Sequence, residues 1–278
     1  MISGATAAIL SGLATSLGAL PFLFVHALPR RAYDGILGFG AGLMLAAATL
    51  GLLGEALAGV RGGAAGPGLD GWRLLLVVLG FVTGVGIAAA MDRLIPHRHA
   101  GGHHQHLGHE PGHDHHDRPG QQDAPAELWR GYAVVGALTI HRFPEGLAIG
   151  AGFAADAHAR LGLLLAVAVG LQNACEGIVM AAPLRQGGVP AGRSVAVIAL
   201  TGLATPLAAL VGNLLAAHTA PSMPFVLPFI LALAAGTLIY ITSNEIIPES
   251  HSHGFEGTAS SGVVAGFVLT MVLKAVIP

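Results

Sequence analysis

The sequence predicts an all-α integral membrane protein of about eight transmembrane helices, and three observations carry that prediction. Of its 278 residues, 53% are hydrophobic and only 10% charged, whereas a soluble domain carries about a quarter charged residues. Glycine is abundant, at 41 residues, as close packing of helices in lipid requires. Apolar runs recur along the chain at the length of roughly 20 residues that a bilayer core of about 30 Å demands.

These runs fall at 5–27, 33–58, 72–95, 127–154, 160–184, 191–217, 223–248 and 259–277. The breaks between them are Pro29-Arg30-Arg31, the Gly-rich 61–71, a His tract over 96–125, Asp156–Arg160, Arg185–Pro190, His218–Ser222 and Glu249–Gly257. Helices one to three therefore occupy 1–95, a flexible loop 96–126, and helices four to eight 127–278, together one domain. The first run lacks a basic segment before it and continues for over 20 residues, which reads as a first membrane helix and not a cleaved signal peptide. Cys175 is the only cysteine, so no intrachain disulfide forms, and no basic stripe offers itself to nucleic acid.

Orientation follows from the basic residues. Arg30, Arg31, Arg93, Arg98, Arg118, Arg130, Arg185 and Arg193 flank one set of loops, while Arg61, Arg73, Arg160 and Lys274 flank the other. This bias predicts a cytoplasmic His tract and both termini outside, in a multi-pass protein of the cell inner (plasma) membrane. The tract contains His97, His99, His103, His104, His106, His109, His113, His115 and His116 among Gly, Pro and Asp. It lacks the apolar residues to build a core. Neutral imidazole is a good Zn²⁺ ligand, so one reading is a metal-collecting loop and the other a solvated linker.

The sharpest signal lies inside the membrane, where an ionisable residue costs roughly 2.5–3.5 kcal/mol on insertion scales. The fourth run reads Ile140-His141-Arg142-Phe143-Pro144-Glu145-Gly146-Leu147-Ala148, and the fifth Leu171-Gln172-Asn173-Ala174-Cys175-Glu176-Gly177. His141 and Glu145 share one helical face at i, i+4, and Gln172 and Glu176 repeat that spacing. Facing helices would bring together an imidazole, two carboxylates and an amide, a set suited to one dication. Pro144 removes a backbone N–H and frees the carbonyl of Ile140. The alternative is a polar cluster that glues the two helices.

Other candidates are less defined. Met44 offers a soft thioether that completes the site, or else packs against lipid or core. Glu245, Glu249, His251 and His253 form a possible exit relay or an ordinary interfacial helix end. Glu55 and Asp92 read as interfacial, and His26, His158 and His218 as residues near loops.

The motifs His141-x-x-Pro144-Glu145-Gly146-Leu147-Ala148 and Gln172-Asn173-x-x-Glu176-Gly177, followed by Ala182-Pro183-Leu184, resemble helices four and five of the ZIP (Zrt-, Irt-like protein) metal transporters. The His-rich loop, Glu245-Ile246-Ile247-Pro248-Glu249 and the small-residue run around Met44 fit as well, with the bacterial gufA-like branch most similar. The resemblance implies an inverted 3+2+3 repeat bundle and a homodimer. It also implies uptake of Zn²⁺, with Cd²⁺, Fe²⁺ or Mn²⁺ as further substrates, by alternating access at the bilayer midplane. It assigns Met44, His141, Glu145, Gln172 and Glu176 to a primary metal site. Relatives often hold a second, adjacent ion, but the matching positions here are Arg142, Asn173 and Thr205. A cation thus replaces one ligand; one reading is that Arg142 pairs with Glu176 or Glu145 and leaves a single-ion site, the other that it repels dications and tunes rate or selectivity. Rival readings are a metal-selective channel, a metal-sensing membrane protein and an intramembrane metalloenzyme. The last lacks a two-His zinc protease motif and any Ser/His/Asp set, so the expectation is no enzyme.

Overall fold

The computed structural model describes residues 3–25, 28–61, 71–94, 124–155, 159–219 and 226–277. Among these residues there is no strand, and the chain forms long helices. They are α1 (Gly4–Leu23), α2 (Arg30–Val60), α3 (Gly71–Arg93), α4 (Ala124–Ala155), α5 (Arg160–Gln186), α6 (Ala191–His218), α7 (Val226–Ser250) and α8 (Glu256–Val276). Seven are long and apolar enough to cross a membrane. The remaining one, α4, is longer still at 32 residues but carries His141, Arg142 and Glu145 in its middle. The His tract, His26 and His158 lie outside the described residues.

Local chemistry explains most helix ends. Ser3 caps α1 by accepting from the Thr6 amide at 3.2 Å, which satisfies one of the free N–H groups of a first turn. The apolar run of this helix continues to residue 27, but the helix ends at Leu23, its last turn tightened to a 3₁₀ form over Leu20–Leu23. Pro21 is the cause, since it has no N–H to continue the ladder. Pro29 stands just before α2 and Pro190 just before α6's first residue, positions where the missing donor costs nothing. Within α6 the helix breaks at Gly202-Leu203, shortly before Pro206, which cannot donate back to the preceding turn.

Two helices contain π segments, Ala47–Leu53 in α2 and Thr242–Ile246 in α7. Pro248 follows the second, so the i, i+4 ladder lacks a donor there. In the first, Lys274 of α8 donates its Nζ to the Leu50 carbonyl. Such segments are uncommon and concentrate where a helix serves a site.

The principal helix contacts are α1 with α5, α4 with α6, α2 with α8 and α3 with α7, while α4 and α5 pack on each other at the centre. Glycine seams make these approaches possible. A Cβ added at Gly42 would meet the Val263 carbonyl oxygen, and one at Gly266 the Phe39 carbonyl oxygen, so α2 and α8 touch backbone to backbone. Gly84 and Gly236 do the same for α3 and α7, Gly18 and Gly177 for α1 and α5, and Gly150 and Gly212 for α4 and α6. Lipid supplies no hydrophobic drive between helices, so van der Waals contact at small residues carries the association.

Burial separates inner from outer helices. In α2 and α5, 67% of the apolar window is buried, against 22% in α3 and 17% in α8. The outer helices present Val78, Leu79, Val82, Val264, Val268 and Met271 outward. Trp72 at the start of α3 and Trp129 near the start of α4 are exposed, where indole suits a headgroup boundary. End contacts fix which termini meet. Arg73 donates to the Gly59 carbonyl at 3.2 Å, and Asn244 Nδ2 reaches Asp92 Oδ2 at 3.0 Å.

Overpacking a seam should be costly. Gly42→Leu is expected to destabilise the bundle by about 1–3 kcal/mol, read as a lower melting temperature in detergent. Gly86→Leu, where a Cβ meets nothing within 4 Å, should leave the melting temperature nearly unchanged.

Candidate metal site between helices four and five

The two carboxylates face each other. Gln172 Nε2 donates to Glu145 Oε1 at 2.5 Å and to Glu176 Oε1 at 2.8 Å, so one amide from α5 bridges acids from both central helices. Glu145, Glu176 and Gln172 are all buried. α4 runs unbroken through Pro144, which keeps His141 and Glu145 on the face predicted by their spacing.

Arg142 supplies the counter-charge. It is fully buried, and its Nη2 lies 3.0 Å from Glu176 Oε2. Nη1 donates to Thr15 Oγ1 on α1. The guanidinium therefore joins α4 to α5 and α1 through one planar group, a geometry that an ammonium would not reproduce. Glu176 is thereby held at both oxygens. Glu145 is held at one, and its Oε2 is buried with no hydrogen-bond partner.

His141 places its Nε2 3.5 Å from Glu245 Oε1. Glu245 thus stands opposite His141 from the π segment of α7. The other three residues named with it lie elsewhere: Glu249 a turn further on, His251 against Ser260, and His253 against Asp34. Met44 is buried, not lipid-facing, and Thr242 Oγ1 approaches its sulfur at 3.6 Å. Gly40, one turn before Met44, lies against Gln172, where an added Cβ would be 3.9 Å from its Cγ. α2 therefore packs against the Gln172 side of the carboxylate pair.

Asn173 and Thr205 line the surroundings. Asn173 turns its amide nitrogen to the Ser11 carbonyl on α1 at 3.0 Å, leaving a buried Oδ1 without a partner. Thr205 is buried on α6 against Gly146 of α4, with its hydroxyl unpartnered. Among the described residues no three His, Cys, Asp or Glu side chains group closely enough to cage an ion by themselves. The contacts join Gln172 to Glu145 and Glu176, while His141 meets Glu245 and Met44 meets Thr242, so the five expected donors fall into three neighbouring groups. That mixture of N, O and S donors suits a borderline dication better than Ca²⁺ or Mg²⁺, which prefer oxygen.

The profile of the ZIP Zinc transporter family matches residues 4–274. The chain belongs to the ZIP zinc transporter family. As a family member it is 37% identical over 274 residues to the zinc transporter GufA of Myxococcus xanthus, covering 98% of each chain. It is 37% identical over 269 residues to the zinc transporter ZIPB of Bordetella bronchiseptica, covering 94% of this chain and 76% of that one. The zinc transporter ZupT of Akkermansia muciniphila is 30% identical over 268 residues, with 95% and 93% covered. The gufA-like resemblance read from the central motifs is thus confirmed across the chain.

Sequence reasoning misses two residues near this site, Thr15 and Thr242, and a third, Asp34, toward the Arg30/Arg31 end of α2. Thr15 is one polar residue in an apolar run, with no spacing to tie it to Arg142 across 127 positions. Thr242 touches Met44 only because α7 and α2 meet there. Asp34, buried on α2, sits three residues past Arg31 and reads as an acid near a helix start.

The Arg142–Glu176 pair gives a direct test. Removing one partner of a buried ion pair typically costs about 3–5 kcal/mol, because the other charge is left uncompensated. Arg142→Met should lower the melting temperature strongly, and Arg142→Met with Glu176→Gln should recover much of the loss. A double-mutant cycle in detergent measures the coupling; additive losses would show that the two groups do not stabilise each other.

Proposed function

We propose that this chain carries Zn²⁺ across the cell inner membrane into the cytoplasm by alternating access, with a single ion held between α4 and α5. The observation that carries the reading is the pair of buried carboxylates, Glu145 and Glu176, bridged from one side by Gln172. Zinc transport is what its relatives' names state for them. Cd²⁺, Fe²⁺ and Mn²⁺ remain within the range of the same donors.

In this reading a hydrated dication sheds water and takes the position now filled by the amide N–H groups of Gln172. The amide turns over, so that its oxygen faces the ion in place of its nitrogen. Glu145 Oε2, buried and without a hydrogen bond, is ready to ligate at once. His141 releases Glu245 to contribute Nε2, and Met44 adds its sulfur from α2. Arg142 stays on Glu176 and occupies the charge that a second ion would otherwise supply.

The four-fold set of helix pairings supports the alternating-access part. Exchanging α1 with α6, α2 with α7, α3 with α8 and α4 with α5 turns the observed contacts α1·α5 and α2·α8 into α6·α4 and α7·α3, which are also observed. The π segments in α2 and α7 fall at exchanged positions too. An inverted repeat of this kind offers two nearly equivalent packings around a fixed site. The basic bias of the Arg30/Arg31 loops favours a cytoplasmic position for that end, with the termini outside and the chain acting as a homodimer.

Zinc flux into proteoliposomes checks the proposal. Glu145→Ala and Glu176→Ala should each reduce flux at least about 100-fold at equal reconstitution, since each removes a charge and a ligand. Near-normal flux in either variant would exclude the site. With His97–His116 deleted, the protein should bind one zinc per chain at high affinity, and Arg142→Asn should admit a second. Two zinc ions in the unsubstituted protein that are both lost in Glu176→Ala would overturn the single-ion reading.

A further inference from the structure

A second pair of ligand-type groups lies away from the central pocket. Asp34 of α2 is fully buried, and its Oδ1 is 2.8 Å from His253 Nδ1 on the turn that follows α7. Its other oxygen, Oδ2, is buried and has no hydrogen-bond partner in the protein. Tyr33 packs edge-on against the His253 ring, with centroids 5.6 Å apart. Ser252 Oγ also approaches His253 Nδ1, at 3.2 Å.

The chemistry of this pair is directional. An ionised carboxylate only accepts hydrogen bonds, so Nδ1 of a neutral His253 carries the proton and Nε2 keeps its lone pair. A histidine that ligates a metal through one nitrogen almost always donates its other N–H to a carboxylate or carbonyl, which fixes the ring and raises its basicity. The side chain of His253 keeps 28% of its surface accessible, so the free nitrogen is reachable. His251 differs. Its Nδ1 lies 2.8 Å from the Ile247 carbonyl and its Nε2 3.0 Å from Ser260 Oγ, so both nitrogens are engaged. Of the two histidines beyond α7, only His253 is built as a ligand.

Position gives the pair its meaning. Asp34 precedes Met44 by ten residues on α2, about 15 Å along the helix at 1.5 Å per residue. It lies toward the Arg30/Arg31 end, where Asp92 and Asn244 also meet. We propose that Asp34 and His253 form a carboxylate-oriented imidazole ligand that receives the divalent cation between the central pocket and the Arg30/Arg31 end. Asp34 acts there as a positioning residue, and the ion's remaining ligands are water. The proposal rests on the transport reading for its role, but the ligand itself is testable without transport.

The test is residue-resolved protection of the full-length protein. Diethylpyrocarbonate modifies unprotonated imidazole, and peptide mass spectrometry reads the rate at His253 alone, apart from the His tract. Buffered Zn²⁺ should slow modification of His253 at least tenfold, while the same concentration of Mg²⁺ should not. Protection should persist in Glu145→Ala, which separates this ligand from the central site: flux lost with protection retained supports both assignments. Asp34→Asn should raise the Zn²⁺ concentration for half-protection by about 10–100-fold, the usual effect of losing an orienting carboxylate. A merely structural Asp34 would change the metal-free rate and leave the Zn²⁺ midpoint unmoved. An unmoved midpoint, or no Zn²⁺ protection in the unsubstituted protein, would overturn the proposal. The latter measurement needs no variant to fold.

Discussion

Two carboxylates placed where water is scarce must be neutralised, and the centre of this protein is organised around that requirement. In low dielectric the pair would repel, and at least one would hold a proton unless a cation or donor met it. Arg142 meets Glu176 at 3.0 Å, and Gln172 meets both acids. The guanidinium also binds Thr15, so the charge solution is at the same time a mechanical one that ties α1, α4 and α5 together. Such closeness needs helices that approach backbone to backbone. The Thr15 carbonyl that receives Gly177 of α5 belongs to the residue that holds Arg142, so seam and site are built from the same few turns.

The remaining helices shape how this charged centre meets its neighbours. α2 and α7 meet at Met44 and Thr242, α7 sets Glu245 3.5 Å from His141, and each of these two helices is interrupted nearby by a π segment. The wider π turn rotates the later turns of the helix relative to the earlier ones, and Glu245 within it faces His141. α3 and α8 make their main contacts with α7 and α2. They lie outside α7 and α2 and give them an apolar cover.

The sequence is most legible where one residue type admits one physical explanation. Apolar length marks all eight helices to within a few residues, and the i, i+4 pairs His141/Glu145 and Gln172/Glu176 mark the two faces that meet. Partnership across helices is less legible. Spacing says that two groups share a face but says nothing of which helix lies opposite, so it does not announce Thr15, Thr242 or Asp34. The glycines can be counted but not assigned to seams, because a seam is a property of two helices. Glu245, Glu249, His251 and His253 read as one group by proximity in sequence. The fold distributes them, since a π segment and a turn stand between the first and the last.

The guanidinium also bears on how an ion would be released as well as held. If both acids are ionised, the Glu145–Glu176–Arg142 cluster alone carries one net negative charge. A bound dication would change this to one net positive charge. The solvation cost of charge in a low-dielectric medium grows with its square, so these two states are balanced in that respect. Without Arg142 the same acids would carry two negative charges when empty and none when loaded, and the loaded state would be a deep trap. Gln172 acts in the same direction, because its amide recovers two hydrogen bonds to carboxylate as the ion leaves, each worth about 1.5–3 kcal/mol. A fixed cation and a reversible amide therefore flatten the difference between empty and loaded states, which is the condition for a site that must let go as often as it binds.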